Sequence, residues 1–164
     1  MQYLPSEVEL WLAGEGELRL IVEEQAKNLG LTDRVRFLGY MPHEELLRVY
    51  EEGKIDAVVL PSVDLGDGLN EGIPVALMEA MAFGIPVVST QTGGIPELLG
   101  GGAGLLVPPK DPEALAAVIR KLFEDQALAK EVGLAGQRRV QEDFAVEQVI
   151  ARLETLFHKD VLSR

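Results

Sequence analysis

The sequence predicts an α/β fold, a doubly wound parallel sheet with extra helices at the C-terminal end. Strand-like and helix-like runs alternate along the chain, the pattern of βαβ units and a parallel sheet. The run DAVVL at Asp56–Leu60 is almost continuously apolar, which suits a strand covered on both faces. Glycine-bearing loops follow the strand-like runs, at Gly14, Gly39, 62–73 and 90–94. In such a sheet the crossovers are right-handed and ligands bind outside the carboxyl ends of the strands. All of these loops fall at such ends, so one shared pocket is expected.

Taken in order, Met1–Ser6 reads as a ragged start and EVELWLA at Glu7–Ala13 as the first strand. Gly14-Glu15-Gly16 turns the chain into a helix over Glu17–Leu29. Its apolar residues Leu18, Ile21, Val22, Ala26 and Leu29 recur at helical spacing, and Gly30 suits the C-cap. RVRFL at Arg34–Leu38 is a second strand, His43–Glu52 a second helix and Asp56–Leu60 a third strand. Beyond the central loop, strands are predicted at Pro86–Ser89 and Leu105–Val107, with a short helix at Pro96–Leu99 between them. Asp111 followed by Pro112 is a helix-start signature, and that helix runs to about Glu124. Helices near Leu128–Glu142 and Val146–Leu162 complete the chain. The expected organisation is one domain over residues 7–144 and a C-terminal helix over 145–164.

Composition narrows the function. A hydrophobic content of 47% supports a packed core, with aromatics at 5% making it an aliphatic one. A net charge of −12 argues against nucleic acid, which requires a basic face. There is no cysteine, and the histidines His43 and His158 lie far apart. No disulfide framework or thiolate site is therefore possible, a His-based metal site is not expected, and no metal ligand is assigned. Asp64 and Asp67 read as solvated loop acids. No apolar run reaches the ~18–20 residues of a membrane span, and no signal-peptide h-region opens the chain, so a cytoplasmic location is expected.

The organising stretch is the strand at Ala57–Leu60, the loop after it, and EGIPVALME at Glu71–Glu79. Gly72, Ile73 and Pro74 are expected to open a helix, with Pro74 in its first turn. The unpartnered N–H groups of that turn lie at the positive end of the helix dipole. A strand, a glycine loop and a helix N-terminus together suit an anion such as a phosphate. Glu79 lies eight positions beyond Glu71, and at about 100° per residue this leaves roughly 80° of angular offset. Two such carboxylates can serve one pocket. Leu77, Met78, Ala80, Met81 and Ala82 surround Glu79 with apolar neighbours, so a carboxylate there needs partners.

The segments LAGEG, GLTDRVRFLGYMP, DAVVLPS, EGIPVALMEAMAFGIPVVST, GGIPELL and GLLVPPKDPEALA occur in this order. Together they resemble the C-terminal, donor nucleotide-binding domain of a family 4 retaining glycosyltransferase of GT-B architecture, one Rossmann-like half of that fold. VDLGDGLNEGIPVALMEAMA is especially similar to transferases of exopolysaccharide, colanic-acid and lipopolysaccharide assembly. The resemblance implies transfer of a sugar, with retention, from a UDP- or GDP-type nucleotide-sugar to a glycan or lipid-linked acceptor. It implies that Glu71 is the catalytic carboxylate, facing the donor sugar's hydroxyls. The amides of Gly72, Ile73 and Val75 would meet the sugar or distal phosphate, and Glu79 the ribose 2′- and 3′-hydroxyls. The base would lie against Gly39, Tyr40 and Met41, with Gly14 also at the donor cleft. Catalysis in such enzymes stabilises the leaving diphosphate by helix dipole and basic side chains, and the resemblance implies neither a cofactor nor a bound metal.

The family's Gly-Arg and Lys-Gly segments, which hold the diphosphate, are not found in this chain, and Met1–Glu7 contains no Arg or Lys. On this reading the chain is a donor-binding half without its acceptor domain, inactive alone. The strand expected to be missing is an inner one in the order 3-2-1-4-5-6. The sheet would then close up, be completed by Met1–Pro5, or be completed by a homodimer or strand-swapped assembly. A non-catalytic interaction module, or a related enzyme such as a nucleotide-sugar 2-epimerase, is the alternative function. Among the remaining residues, His43 reads as a polar helix start, Trp11 as core, Gly93 and Gly94 as turn glycines, and Leu115, Val118, Ile119 and Leu122 as a core stripe.

Overall fold

The computed structural model describes residues 1–64, 66 and 72–162, with side chains to residue 158. Strands β1 (Leu10–Ala13) and β2 (Val35–Gly39) form a parallel pair, flanking helix α1 (Arg19–Asn28) in sequence. Helix α2 (His43–Glu51) leads to β3 (Val58–Leu60), which pairs in parallel with β4 (Val87–Thr90), and β4 with β5 (Leu105–Val107). Helix α3 (Val75–Ala82) connects β3 to β4, and α4 (Ile95–Leu99) with a 3₁₀ turn at Gly100–Gly102 connects β4 to β5. Helices α5 (Pro112–Glu124), α6 (Gln126–Arg139) and α7 (Val146–Leu162) follow, with a π-helical segment at Val140–Phe144.

Among the described residues the strands fall into two sheets, β1-β2 and β3-β4-β5. The sheet does not close up: β1 pairs only with β2, and β3 only with β4. Met1–Pro5 does not complete it either. Those residues form turns, with Leu4 N bonded to Met1 O at 3.2 Å and Val8 N to Pro5 O at 3.2 Å. The first strand is correspondingly shorter than Glu7–Ala13. Nor is the start ragged. Leu4 is buried, and the guanidinium of Arg34 donates to the carbonyls of Leu4, Pro5 and Val8.

The core lies around β4 and α3. Leu77, Ala80, Met81, Val87, Val88, Ile95 and Leu98 are fully buried, and each large aliphatic among them contributes about 1.5–3 kcal/mol on burial. Helix α6 packs on α3, and its Gly133 and Gly136 come close to the backbone of Gly84 and Ala103. Helices α5 and α6 start on side-chain caps. Asp111 Oδ1 accepts from Ala114 N at 2.9 Å, and Asp125 Oδ1 from Leu128 N at 2.9 Å, each worth about 1 kcal/mol. The stripe Leu115, Val118, Ile119 and Leu122 is half-buried to buried, as its spacing predicts.

Trp11 departs from expectation. It is only half-buried. Its indole Nε1 donates to Glu9 Oε2 at 3.2 Å, and the Arg36 guanidinium lies 5.4 Å from its ring centroid. A two-stranded sheet leaves one face of the ring for these polar neighbours.

Candidate functional site

The loops at the carboxyl ends of the strands are tied to one another. Gly14 N donates to Gly39 O at 2.7 Å, which fixes the β1–α1 turn against the β2–α2 turn. Both glycines have positive φ, 118° and 69°, a region that L side chains rarely adopt. A Cβ on Gly39 would also stand 3.3 Å from both Arg19 Nη1 and Glu15 Oε1. Arg19 is ion-paired with Glu15 and Glu23 at 3.5 and 2.8 Å. After Gly39 the chain carries Tyr40, 77% exposed, then half-buried Met41, then enters α2 at His43.

On the other side, β4 is held to the end of β3 by buried hydroxyls. Ser89 Oγ donates to Leu60 O and Thr90 Oγ1 to Ser62 O. This sets where the chain leaves β3. Glu71 and Asp67 lie outside the described residues. The structure resumes at Gly72, which is exposed, followed by half-buried Ile73, buried Pro74 and exposed Val75. Pro74 is the N-cap of α3, with φ −73° and ψ 121°, not a member of its first turn. The ring fixes φ alone, and φ near −70° serves both positions. The extended ψ places the turn one residue later than expected. Leu77 N and Met78 N bond Pro74 O at 3.2 and 3.3 Å. The N–H groups of Val75 and Ala76, one turn too early for a helical carbonyl, face outward at the positive helix end.

Glu79 is the charged group of α3. Its neighbours Leu77, Ala80 and Met81 are fully buried, while its own side chain keeps 25% exposure. Its Oε1 lies 2.9 Å from His43 Nε2, a contact spanning 36 positions of sequence. Burial pushes the Tyr50 phenol upward, and the Glu79 carboxylate adds to that shift; His43 of the same helix meets this carboxylate directly. The structure therefore brings Glu79 to the start of α2, directly beyond Gly39, Tyr40 and Met41. It brings Gly72 and Ile73 against Gly94, where a Cβ would stand 3.0 Å from Gly72 O and 3.1 Å from Ile73 Cγ1.

Two residues gain parts that the sequence reading did not give them. His43, read as a polar helix start, is the partner that Glu79 needed. Gly94, read as a turn glycine, is the floor on which the Gly72–Ile73 loop rests. The available signal for His43 was its place immediately after the Gly39–Met41 loop. Among the described residues, no cluster of acids and histidines is suited to a metal ion.

Parallel strands joined by helical crossovers make a Rossmann-like unit, and solved glycosyltransferase structures of GT-B architecture superpose on the chain. The profile of the glycosyl transferases group 1 family matches residues 2–139, and the chain belongs to that family. It is 40% identical over 153 residues to the amylovoran biosynthesis glycosyltransferase AmsK of Erwinia amylovora, covering 90% of this chain and 37% of AmsK. To the putative colanic acid biosynthesis glycosyltransferase WcaL of Escherichia coli it is 44% identical over 142 residues, 84% of this chain and 33% of WcaL. These names bear out the exopolysaccharide and colanic-acid resemblance. Anabaena HepE, solved in complex with UDP, superposes with a TM-score of 0.79 at 26% identity, over 96% of this chain and 43% of HepE. The chain spans roughly a third of the length of the curated relatives it matches.

Proposed function

We propose that this chain is the donor-binding half of a retaining glycosyltransferase that moves a sugar from a nucleotide-sugar to a glycan or lipid-linked acceptor. In that reaction the bond from the anomeric carbon to the diphosphate breaks and a bond to the acceptor hydroxyl forms. The hydroxyl proton is lost and a nucleoside diphosphate departs. Glu71 supports the charge that develops on the sugar, and the amides of Gly72, Ile73 and Val75 meet the sugar or distal phosphate. Glu79 accepts from the ribose hydroxyls, a role that suits a carboxylate's paired acceptor oxygens. Gly14, Gly39, Tyr40 and Met41 border the base.

The observation that carries this reading is the position of Glu79. An acid among fully buried neighbours keeps its carboxylate at the rim, beside the Gly39–Met41 loop and at the carboxyl end of the sheet. HepE, of the same fold, is solved with UDP and with UDP-glucose, which supports a nucleotide-sugar as the ligand. The contact with His43 engages Oε1, and Oε2 makes no hydrogen bond among the described residues. Acceptor binding is assigned to a part of the protein beyond these residues. A further parallel strand, from that part or from a second copy in a homodimer, fits the unpaired edges of β1 and β3. Calorimetry with UDP, GDP and their sugars tests the proposal. Binding that weakens about tenfold or more in Glu79→Ala supports it, in line with losing a hydrogen-bonded charged acceptor. Absence of binding at millimolar nucleotide returns the chain to a non-catalytic module.

A further inference from the structure

The side chain of Glu79 has three rotatable bonds and a carboxylate at the rim. Left alone, such a side chain loses rotamer freedom when a ligand fixes it. His43 removes part of that freedom in advance. Its backbone is set by its position as the first residue of α2, after Pro42 at φ −56° and ψ 143°. Its Nε2 meets Oε1 of Glu79 at 2.9 Å. The inward directions for the carboxylate are closed by Leu77, Ala80 and Met81, each fully buried, since a charge turned among them would lose its hydration. What remains is an outward orientation, in which Oε1 is taken by the imidazole and Oε2 is left to meet a ligand. The other ionisable groups on the elements bearing this pair are Glu44, Glu45, Arg48, Tyr50 and Glu51, all on α2. Among them only Tyr50 is buried; α3 itself contributes no charge besides Glu79.

We infer that His43 is a positioning residue for nucleotide recognition: its imidazole holds one oxygen of Glu79 so that the other is presented to the ribose 2′,3′-diol. The inference rests on the donor-binding reading above. Its chemistry is specific. A held carboxylate discriminates a diol from a ribose lacking one hydroxyl better than a free one does, because the free side chain can swing to satisfy whichever hydroxyl remains. Preorganisation of this kind raises affinity by lowering the ordering cost of binding. His43 links the base-side loop to the ribose-side helix, so a displacement of the Gly39–Met41 loop moves the ribose acceptor with it.

The test compares UDP with 2′-deoxyuridine diphosphate, and GDP with its 2′-deoxy form, on wild type, His43→Ala and His43→Gln. Wild type is expected to prefer the ribonucleotide. His43→Ala should weaken ribonucleotide binding about three- to tenfold, the scale of one typical net hydrogen bond, and weaken deoxynucleotide binding less. The preference then shrinks. His43→Gln carries an amide N–H that reaches the same carboxylate, and it should restore the preference. His43 is exposed, so matched thermal melts are expected, and the glutamine variant reports even where the alanine variant is less stable. If His43→Ala keeps the wild-type ratio of ribo- to deoxynucleotide affinity, the positioning role is overturned while the donor reading stands. If wild type binds neither form, the donor reading falls and this role falls with it.

Discussion

A Cβ built on Gly133 stands 2.1 Å from the carbonyl oxygen of Gly84. The same helix meets Ala103 O through Gly136, where a Cβ would come within 2.8 Å. Helix α6 thus lies directly on the backbone that ends α3 and begins β4. Gln137 Nε2 completes the junction by donating to Ala82 O at 2.9 Å. This contact fixes the far end of the helix whose near end carries the candidate site.

The first prediction follows from that separation. Gly133→Ala has no flexible side chain to displace, since its neighbour is backbone. It should lower stability by about 2–4 kcal/mol, as overpacking against a fixed group does. Gly100→Ala, with nothing within 4 Å and a φ of −58°, should stay within about 0.5 kcal/mol. Urea unfolding of both variants measures the contrast. Equal midpoints would show that α6 does not sit on Gly84 in solution.

Gly94→Ala probes the site instead of the scaffold. The added methyl lies 3.0 Å from Gly72 O and 3.1 Å from Ile73 Cγ1, so the loop has to move by a few tenths of an ångström. The expected cost to folding is about 1 kcal/mol, and the expected loss of UDP or GDP affinity about three- to tenfold, because contacts from placed amides are sensitive to small displacements. Titration beside a urea midpoint separates these effects. A stability loss with unchanged affinity would detach Gly72 and Ile73 from nucleotide binding.

The parts of the fold that were legible in the sequence are those decided locally. Asp111 and Pro112 start α5 where cap chemistry says they should, and Leu105–Val107 is a strand as its composition says. The parts that were not legible depend on distant neighbours. Trp11 is half-buried, with Arg36 on the adjacent strand against its ring in place of core, and no local pattern announces that. Pro74 has a φ compatible with both the cap and the first turn, so only its ψ, set by the loop before it, decides between them. In the site, the need of Glu79 for a partner could be read from its apolar flanks. That the partner is His43 could not, because the two meet only when α2 and α3 are brought together across 36 positions.

Arg34 offers a third prediction. Its Nε and Nη2 donate to Val8 O at 3.1 and 3.0 Å, and Nη2 also reaches Leu4 O and Pro5 O. One planar guanidinium thereby gathers the first turns of the chain under β1 and β2. Lysine is a point donor without that fork. Arg34→Lys should therefore cost about 1–2 kcal/mol and should expose Met1–Pro5 to proteolysis well before the core. Wild-type resistance of that segment in the variant would mean that the burial of Leu4 alone holds it.

The last prediction concerns pH. Asp143 Oδ1 accepts from Arg152 Nη2 at 2.6 Å, and its Oδ2 accepts from Arg139. Arg152 Nη1 also donates to Asp143 O at 3.2 Å. The Arg152 hydrogen bond, with the charges of Arg139 and Arg152, holds the Asp143 carboxyl below the usual aspartate range. A depressed carboxyl contributes stability that is present above its unfolded pKa and lost as pH falls through its folded value. The pair is exposed, so the effect on global unfolding is small and screened by salt. Its local effect is larger, because Asp143 joins the π-helical segment to α7. Asp143→Asn should speed amide hydrogen exchange in α7 at neutral pH. In wild type the same acceleration should appear, beyond the intrinsic pH dependence of exchange, only once acid protonates the carboxyl, and the variant should show no such step. Arg152→Met should mimic the variant at neutral pH, since it removes the same hydrogen bond from the other side. Exchange rates in α7 that are equal for wild type and Asp143→Asn at neutral pH would show that its packing, not this ion pair, fixes the helix.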